Sequence, residues 1–483
     1  MPRTFIQKLS AELDRTSRGI VYLSAEYDLH PDLQSLSIGY PDCLKPDFTD
    51  GFSESRRHQC EWDGTTTNPS IRFRYEVDRT NLGGYQFIDR GGWALLSYPP
   101  INTSWRYSGH SMDLTREYAV SQEGITSSDG SIVYLGPHEE EQFRSGGHDF
   151  RLAIPDQASL RAPLEEIMRS LSFAAENFDV GQKEEKVIIA APSNINWSYE
   201  GIQCGDSGFW VVDSTRVSHA NNTWVHEFIH TCQEWERHSS TQWLIEGTTN
   251  YYSALLTYLE DRISFSAFHR YLTTDQHRRS VLIDPHQWTS PNAYYTKGRR
   301  VMAALDAKIR TATDGEKTFE TVFRRINQDD QPLTNQKLKR IVTDVADHDM
   351  SRWFSQYIES PQTPDVPEDE ALFSGVTTTP HPEPEPEPEP ESEPESEPEA
   401  EEEPTSEDDV EECPVCRNTV SGDDEFCNSC GTALFRQCPV CGRDVTDDPY
   451  CPECGTEIQE TCSVCGSRRH PSEEFCATCG TKF

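Results

Sequence analysis

The spacing of apolar residues changes along the chain. Up to about residue 155, short segments rich in aromatic and β-branched residues, such as SIRFRYEVD and GGWALLSY, are separated by Gly, Asn, Asp and Pro. This pattern is typical of β-strands joined by turns. We therefore predict an N-terminal antiparallel β domain, a sandwich or a similar fold, over residues 1–155.

From about residue 158 the apolar residues recur at helical spacing, as in LRAPLEEIMRSLSFAAENF. The segments KVIIAAP and WVVDS are predicted to be strands, and helices are predicted over 224–236 and 243–260, each preceded by Asn, Ser or Thr residues that can cap it. Further helical segments continue to about residue 360. We divide this part of the chain into a mixed α and β domain, 156–270, and a helical domain, 271–360.

Residues 361–412 have the composition of a linker. In HPEPEPEPEPESEPESEPEAEEEPTSEDDVEE glutamate alternates with proline or serine, and residues 381–412 contain 17 acidic residues and no Lys or Arg. Proline favours an extended chain and the like charges repel one another. Because this segment has too few apolar residues to form a core, we predict that it is disordered.

The C-terminal segment, residues 413–483, repeats a unit of two C-x-x-C pairs three times. Four thiolates can form a tetrahedral zinc site, and paired C-x-x-C spacing outside an oxidising compartment indicates metal rather than disulfides. Most pairs are followed by a glycine, which suits a tight turn around the sulfurs. We predict three tandem zinc ribbons that resemble those of double-zinc-ribbon proteins, each with one structural Zn²⁺. The expected ligands are Cys413, Cys416, Cys427 and Cys430; Cys438, Cys441, Cys451 and Cys454; and Cys462, Cys465, Cys476 and Cys479.

Charge and composition restrict the partners and the location. The formal net charge is −39, and only ten of the 43 basic residues are lysines. This balance predicts adaptation to high salt, where screening removes self-repulsion; an acidic protein without that adaptation is the alternative. Nucleic acid is not an expected partner of so acidic a chain. Because neither a secretory signal nor a run of eighteen apolar residues is present, we expect a cytoplasmic protein with no membrane contact.

The segment WVHEFIHTCQEWERHSSTQWLIEGTTNYY carries the candidate chemistry. Residues four apart on a helix point in nearly the same direction, so His226 and His230 can present two imidazoles to one cation. Zinc also needs a third protein ligand and an open position for water, and Glu246 in the following helix is the candidate. Glu227 adjoins the first histidine and can act as a general base on the water.

Two further residues fit such a site. Asn250 is four residues after Glu246 and could hydrogen-bond a ligating imidazole. Tyr295, at the start of the next apolar helix, could donate a hydrogen bond to an oxyanion. The alternative is an amphipathic helix with a stripe of histidines. The apolar flanks Trp224, Val225, Phe228 and Ile229 predict that this helix is buried, where unpaired histidines would be unfavourable without a metal.

The motifs HEFIH, WLIEGTTNYY and YYTKG, in this order, resemble those of the gluzincin metallopeptidases, first the glycyl aminopeptidase-like group and more distantly the alanyl aminopeptidase group. The resemblance implies an N-terminal β domain, a thermolysin-like α+β catalytic domain and a helical domain. It also implies that His226, His230 and Glu246 bind a catalytic Zn²⁺, that Glu227 is the base and that Tyr295 stabilises the oxyanion.

The resemblance leaves the mode of cleavage open. Where the related aminopeptidases carry a Gly-rich strand whose glutamate binds the substrate amine, this chain has YEGIQCGDSGFW, with Glu200 near that position and Gln203 as a possible substitute. We expect a zinc peptidase that is aminopeptidase-like. The alternatives are an endopeptidase of the same fold, and a weakly active or inactive platform whose zinc ribbons bind a protein partner. A peptide substrate and a protein partner of the ribbons are therefore the expected partners.

Overall fold

The computed structural model describes residues 3–374 except 110, 275–278, 289 and 291, together with the backbone of 410–412, 419–421, 436–437 and 444–445. The chain divides into two compact units, Met1–Glu383 and Pro384–Phe483. Among the described residues, no helix has both the length and the apolar character needed to cross a membrane.

The N-terminal region is built of β-sheets, as predicted. Its strands are β1 (Arg3–Leu13), β2 (Ile20–Asp28), β3 (Leu33–Gly39), β4 (Leu44–Asp50), β5 (Phe52–Arg56), β6 (Gln59–Trp62), β7 (Ser70–Glu76), β8 (Arg79–Asn81), β9 (Gly84–Asp89), β10 (Ala94–Leu96), β11 (Asn102–Tyr107), β12 (Met112–Val120), β13 (Gly124–Thr126) and β14 (Val133–Leu135). They form sheets with the orders β12-β1-β2-β7-β4, β13-β14-β10-β9-β8 and β11-β3-β6-β5.

One strand pair corrects the prediction of an antiparallel domain. Strands β1 and β12 run parallel, with Arg3 opposite Met112 and Ala11 opposite Val120. A parallel pair needs a long connection between its strands, and here that connection contains most of the other strands of the region. The alternation of apolar and polar residues identifies each strand, but it does not show whether the strand pairs in parallel or antiparallel with a strand far along the chain.

A further sheet carries the candidate site. Its strands are β15 (His138–Ser145), β16 (His148–Pro155), β17 (Glu185–Ala191), β18 (Gly201–Cys204) and β19 (Gly208–Val212), in the order β15-β16-β17-β19-β18. The pairs β16–β17 and β17–β19 are parallel, and β18 is an antiparallel edge strand. Residues 138–155, which we expected in the N-terminal domain, therefore share a sheet with residues beyond the expected boundary at 155.

This sheet separates two hydrophobic cores. Ile188 and Ala190 of β17 belong to the core that contains the helices. Val187 and Ile189 of the same strand belong to the core of the N-terminal sheets. Because β17 is buried on both faces, it has a continuous apolar run instead of alternating apolar and polar residues.

The helices follow the helical spacing of the sequence. They are α1 (Leu164–Asn177), α2 (Thr223–His230), α3 (Gln242–Leu259), α4 (Phe265–Leu272), α5 (Ala293–Ala312), α6 (Phe319–Asn327), α7 (Asn335–Ala346), α8 (Ser351–Tyr357) and α9 (Ala371–Ser374), with short 3₁₀ turns at Ser239–Thr241 and Pro285–Gln287. The helix predicted over 224–236 ends earlier, at His230. The chain turns there, and Trp235 is buried in the helical core instead of continuing the helix.

The beginning of the predicted disordered linker is ordered. Val366 and Phe373 are buried in the helical core, and residues 371–374 form α9. Arg300 Nε donates a hydrogen bond of 2.8 Å to the carbonyl of Pro364. These contacts correct the predicted start of the linker at residue 361, because apolar side chains among polar neighbours, together with hydrogen bonds, attach the segment to the helices. Residues 375–409 lie outside the described residues.

Within the second unit the structure describes two short antiparallel hairpins. Strand β20 (Val410–Glu412) pairs with β21 (Thr419–Ser421), and β22 (Arg436–Gln437) pairs with β23 (Asp444–Val445). All twelve cysteines of the predicted zinc ribbons lie outside the described residues. Their assignment as ligands of three zinc ions therefore stays a prediction.

Candidate metal centre

Helix α2 presents the candidate site from inside the protein. The Asn222 side chain caps its N-terminus by accepting from the backbone N–H of Val225 and is held by a 2.9 Å hydrogen bond to Ser170 Oγ. Every residue of the helix is buried, and His226, Glu227 and His230 are only 5 to 8% exposed. A helix with apolar residues on most of its faces is expected in a core. The three ionisable side chains therefore obtain their polar contacts from one another and from the cavity beside them, and little from bulk water.

The structure brings the three predicted ligands together. Glu246 Oε2 lies 3.4 Å from Nε2 of His226 and 3.4 Å from Nε2 of His230. The two Nε2 atoms are 3.1 Å apart, and one ligand atom from each of the three residues lies within 4.8 Å of the others. Helix α3 delivers Glu246 to this point because it packs against α2 after a short turn.

The cluster fits a zinc ion better than it fits a structural network. Glu246 Oε2 and His226 Nδ1 are buried and have no hydrogen-bond partner among the described residues. Buried polar atoms without a partner are rare and unfavourable. Two imidazole nitrogens and one carboxylate, with a fourth position open, are a common ligand set of catalytic zinc. The three residues therefore form a candidate zinc site.

The charges within the cluster shift the pKa of its members. Burial alone would raise the pKa of Glu246, but the two imidazoles outweigh it and hold that pKa well below its ordinary range. Burial would lower the pKa of His230, and the Glu246 carboxylate reverses the direction and raises it. Burial raises the pKa of Glu227, with the two histidines acting in the opposite direction. A carboxylate whose pKa is raised is suited to accept a proton and release it again.

Glycines bring helices α3 and α5 close together beside the site. A Cβ on Gly247 would lie 3.2 Å from the backbone of Gly298, and a Cβ on Gly298 would lie 3.3 Å from that of Gly247. These glycines directly follow Glu246 and Lys297 in the motifs of the sequence. The close approach places Tyr295, one turn before the contact on α5, in the wall of the cavities that Glu227 and His226 also line.

Two adjoining cavities lead to the site. One of about 370 Å³ is lined by Glu200, His226, Glu227, Asn250, Tyr295 and Arg299, among others. A second of about 300 Å³ is lined by Gln203, Arg237, Glu246 and Tyr294, and shares His226, Glu227 and Tyr295 with the first. The predicted base and the predicted oxyanion donor therefore lie in the wall of both cavities, together with one of the two histidines.

The residue that holds an imidazole is Gln233, which the sequence did not reveal. Its Oε1 lies 3.3 Å from His230 Nδ1, and its Nε2 donates to the carbonyl of Ile245 at 2.8 Å and to Thr248 Oγ1 at 2.9 Å. Gln233 reaches His230 because α2 ends there and the chain turns. In the helix that the sequence predicted over 224–236, Gln233 would be an ordinary helical residue with no special relation to His230.

Asn250, which we expected to contact an imidazole, has other partners. Its Nδ2 donates to the backbone carbonyl of Glu246 at 2.8 Å, and its Oδ1 accepts from the Tyr271 hydroxyl at 2.7 Å. The prediction is wrong in its partner, since Asn250 connects α3 to α4 instead of orienting a histidine. The side chain still lines the larger cavity.

The edge strand β18 lies directly over the base. A Cβ on Gly201 would come within 2.8 Å of Glu227 Cγ and Oε1, so only glycine fits there. Glu200, immediately before it, is exposed, and Thr223 Oγ1 donates to its Oε2 at 3.4 Å. The Gln203 amide donates to the carbonyl of Gly205 at 2.6 Å. Of the two residues considered for binding a substrate amine, only Glu200 keeps its polar group free of a local backbone contact.

Part of the C-terminal segment matches a known protein family. A family model described as double zinc ribbon matches residues 413–449, which contain Cys413, Cys416, Cys427, Cys430, Cys438 and Cys441. The predicted resemblance of the C-terminal segment to that family is therefore confirmed for these residues. No curated protein has a sequence that matches the chain.

Solved structures match about three quarters of the chain. A variant M1 zinc metallopeptidase from Deinococcus radiodurans bound to a Tyr-Ser-Ala substrate is 12% identical, with a TM-score of 0.51 over 76% of this chain and 96% of that chain. A variant two-domain M1 zinc metallopeptidase bound to L-arginine gives the same values. This chain therefore has the M1 zinc metallopeptidase fold, and the predicted succession of a β region, a mixed α and β region and a helical region is confirmed at that level.

Proposed function

We propose that the chain is a zinc-dependent peptidase of the aminopeptidase-like kind. The observation that carries this proposal is the convergence of His226, His230 and Glu246 beside Glu227 in a cavity. The M1 zinc metallopeptidase fold supports it, and so does the peptide Tyr-Ser-Ala bound to the relative from Deinococcus radiodurans.

Each residue has a role in this proposal. His226, His230 and Glu246 hold the catalytic ion; when bound, zinc acts as a Lewis acid that activates water and polarises the scissile carbonyl. Glu227 takes the proton of the attacking water and passes it to the leaving amine. Tyr295 donates its hydroxyl proton in a hydrogen bond to the oxygen that gains negative charge.

The exposed Glu200 carboxylate, in the wall of the 370 Å³ cavity, is a suitable acceptor for a peptide amine. This position favours the aminopeptidase-like assignment.

A specific observation also favours an endopeptidase. A third cavity, of about 620 Å³, shares Tyr199, Glu200, Asn221 and Thr223 with the first, so a longer peptide could extend past Glu200. Twin peptides with a free and an acetylated N-terminus separate the two. We expect the free amine to be cleaved faster, and equal rates would favour the endopeptidase.

The test of the function is hydrolysis of a mixed peptide library at low and high salt. Glu227→Gln should lower the rate about 10²- to 10⁴-fold because the base is lost while the zinc ligands stay. Glu236→Gln, the same substitution at an exposed position nearby, should leave the rate unchanged. Chelation should abolish activity and added Zn²⁺ should restore it.

If the wild type cleaves no peptide under any of these conditions, the proposal is refuted in favour of a protein-binding platform. In that case the zinc ribbons, whose segment carries no excess of basic residues, would be the binding part. One catalytic and three structural zinc ions, a protein partner of the ribbons, a cytoplasmic location and adaptation to high salt stay predictions.

A further inference from the structure

Arg299 lies in the wall of the 370 Å³ cavity without a role in the chemistry above. It follows Tyr295 by four residues on α5, so the two side chains project from the same face of the helix. Both line the cavity together with His226 and Glu227. Although it carries a full charge, Arg299 is only 8% exposed.

The guanidinium group is held in place by a ring, not by an acid. Its central carbon lies 3.8 Å from the centroid of the Tyr271 ring. The Tyr271 hydroxyl donates to Asn250 Oδ1 at 2.7 Å, and Asn250 in turn donates to the carbonyl of Glu246. Arg299 is thus stacked on a ring that is hydrogen-bonded to the helix carrying a zinc ligand, which fixes its position relative to the site.

Within the part of the chain that the structure describes, Arg299 forms no ion pair, and its buried Nε has no acceptor. The neighbouring arginine shows what a structural role involves. Arg300 donates from Nε to the carbonyl of Pro364 at 2.8 Å and from a terminal nitrogen to that of Thr273 at 3.0 Å, and it approaches Asp365. A buried charge is unfavourable without an opposite charge, and Arg299, whose contacts among the described residues are to the Tyr271 side chain, adjoins a cavity with an Nε that has no acceptor.

We propose that Arg299 binds a carboxylate of the peptide substrate in this cavity, which makes the enzyme selective for peptides with an acid at that position. This rests on the proposed function. A guanidinium group pairs with a carboxylate through two parallel hydrogen bonds, which an amide does not reproduce. Two sources share this chemistry: an Asp or Glu side chain of the substrate, and the C-terminal carboxylate of a short peptide. A buried cation in the cavity attracts an acidic substrate locally, although the chain as a whole carries a net charge of −39.

The test measures binding, so that it does not depend on turnover. The full zinc-loaded chain with Glu227→Gln is titrated in a calorimeter with twin peptides. One set differs in Glu against Gln at each of the first three positions, and the other in a free against an amidated C-terminus. We expect one set to show a preference for the acid of about 10- to 100-fold in Kd, and the set that shows it identifies the source of the carboxylate.

Arg299→Met in the same background should reduce that preference to about one, because the ionic hydrogen bonds are lost. Arg237→Met, which removes an exposed arginine from the wall of the 300 Å³ cavity, should preserve it. Should Arg299→Met fail to fold, Arg299→Lys and Arg299→Gln decide, since only the lysine should retain a preference. A structural role alone would change stability without changing the ratio between twins.

The proposal is overturned if both sets bind without preference, if the preference survives the loss of Arg299, or if no peptide binds. Turnover is measured separately with Glu227 intact. Absence of hydrolysis would refute the peptidase assignment, while the binding ratios would still decide whether Arg299 recognises a carboxylate.

Discussion

Helices α3 and α5 carry two buried polar clusters, and the two differ in whether their atoms find partners. Toward the C-terminal half of α5, Asp306 accepts from the Tyr251 hydroxyl at 2.5 Å, from Arg310 Nε at 2.7 Å and from the backbone N–H of Phe319 at 2.6 Å. At the other end of the same helices, Glu246 Oε2 of α3 and Arg299 Nε of α5, together with His226 Nδ1 of the neighbouring α2, have no hydrogen-bond partner among the described residues.

This difference distinguishes buried polar groups that stabilise the fold from buried polar groups that can bind a ligand. A fully satisfied buried network stabilises one arrangement of helices and leaves nothing for a ligand to bind. A buried cluster whose unpaired atoms face a cavity is incomplete without a ligand, and the types of atom indicate which ligand. Imidazole nitrogen lone pairs and a carboxylate can bind a cation, and a guanidinium group can bind an anion.

The largest effect is expected in the satisfied cluster. Asp306→Ala leaves the charge of Arg310 buried without its acid and should lower the free energy of unfolding by about 3–5 kcal/mol. All ten tryptophans precede residue 354, so their fluorescence during denaturation with urea reports on the larger unit. Asp344→Ala on the exposed face of α7 is the control and should change stability by less than about 0.5 kcal/mol. A loss at Asp306 no larger than the control would contradict the structural role.

In the incomplete cluster, Tyr295→Phe should affect turnover more than folding. Removing one donor to the oxyanion should lower kcat about 10²- to 10³-fold, equivalent to about 2.7–4 kcal/mol, with little change in KM. Steady-state kinetics measure both constants. Tyr357→Phe, which removes a hydroxyl from α8 outside the cavities, is the matched control and should have a much smaller effect. Equal losses in both variants would refute the specific role of Tyr295.

His148 is an intermediate case: it is a buried histidine with an unpaired Nε2, and among the described residues it belongs to no group of converging metal ligands. Burial, with help from Lys183 and Lys186, lowers its pKa to about 4. At pH values between this lowered pKa and the ordinary value of about 6.5, the histidine is protonated in the unfolded chain but neutral in the folded chain. The free energy of unfolding therefore decreases as the pH falls through this range.

Between pH 7.5 and pH 5, His148 should thus account for about 2 kcal/mol of the lost free energy of unfolding. His148→Gln should remove this part of the pH dependence, as measured by urea denaturation at both pH values. Its zinc content should equal that of the wild type, because the residue lies outside the metal cluster. An unchanged pH dependence would show that His148 is not held neutral in the fold.

The smallest effect is expected at Gln233. Gln233→Ala removes the contact to His230 Nδ1 and should weaken zinc binding about 10- to 100-fold. Competition with a chromogenic chelator measures this affinity. Gln242→Ala, at an exposed position at the start of α3, is the control. Unchanged affinity in Gln233→Ala would mean that the ring of His230 is oriented by packing alone.

The sequence predicted the cluster of His226, His230 and Glu246 better than its surroundings, for a physical reason. The spacing of His226 and His230 is local, and the short turn before α3 limits where Glu246 can lie. Gln233 was missed because its contact depends on where α2 ends, and helix ends are set by tertiary packing as well as by local propensity. Asn250 was assigned the wrong partner because helical spacing gives the face of a residue but not its neighbour on another helix.

Long-range features were the least accessible. The parallel pairing of β1 with β12 and the inclusion of β15 and β16 in the sheet of the site join segments whose own patterns are ordinary. The contrast between Arg299 and Arg300 was also invisible in the sequence, since adjacent arginines differ only in what the fold places around them.

The most direct test of the account is the zinc content of the full chain. We expect the His226→Asn, His230→Asn double variant, purified and dialysed beside the wild type, to contain one zinc ion fewer per chain because the cysteines are untouched. X-ray absorption of the wild type should show zinc–nitrogen or zinc–oxygen distances of about 2.0–2.1 Å that the variant lacks. Equal zinc contents, with identical absorption spectra, would contradict the claim that these residues hold a metal ion.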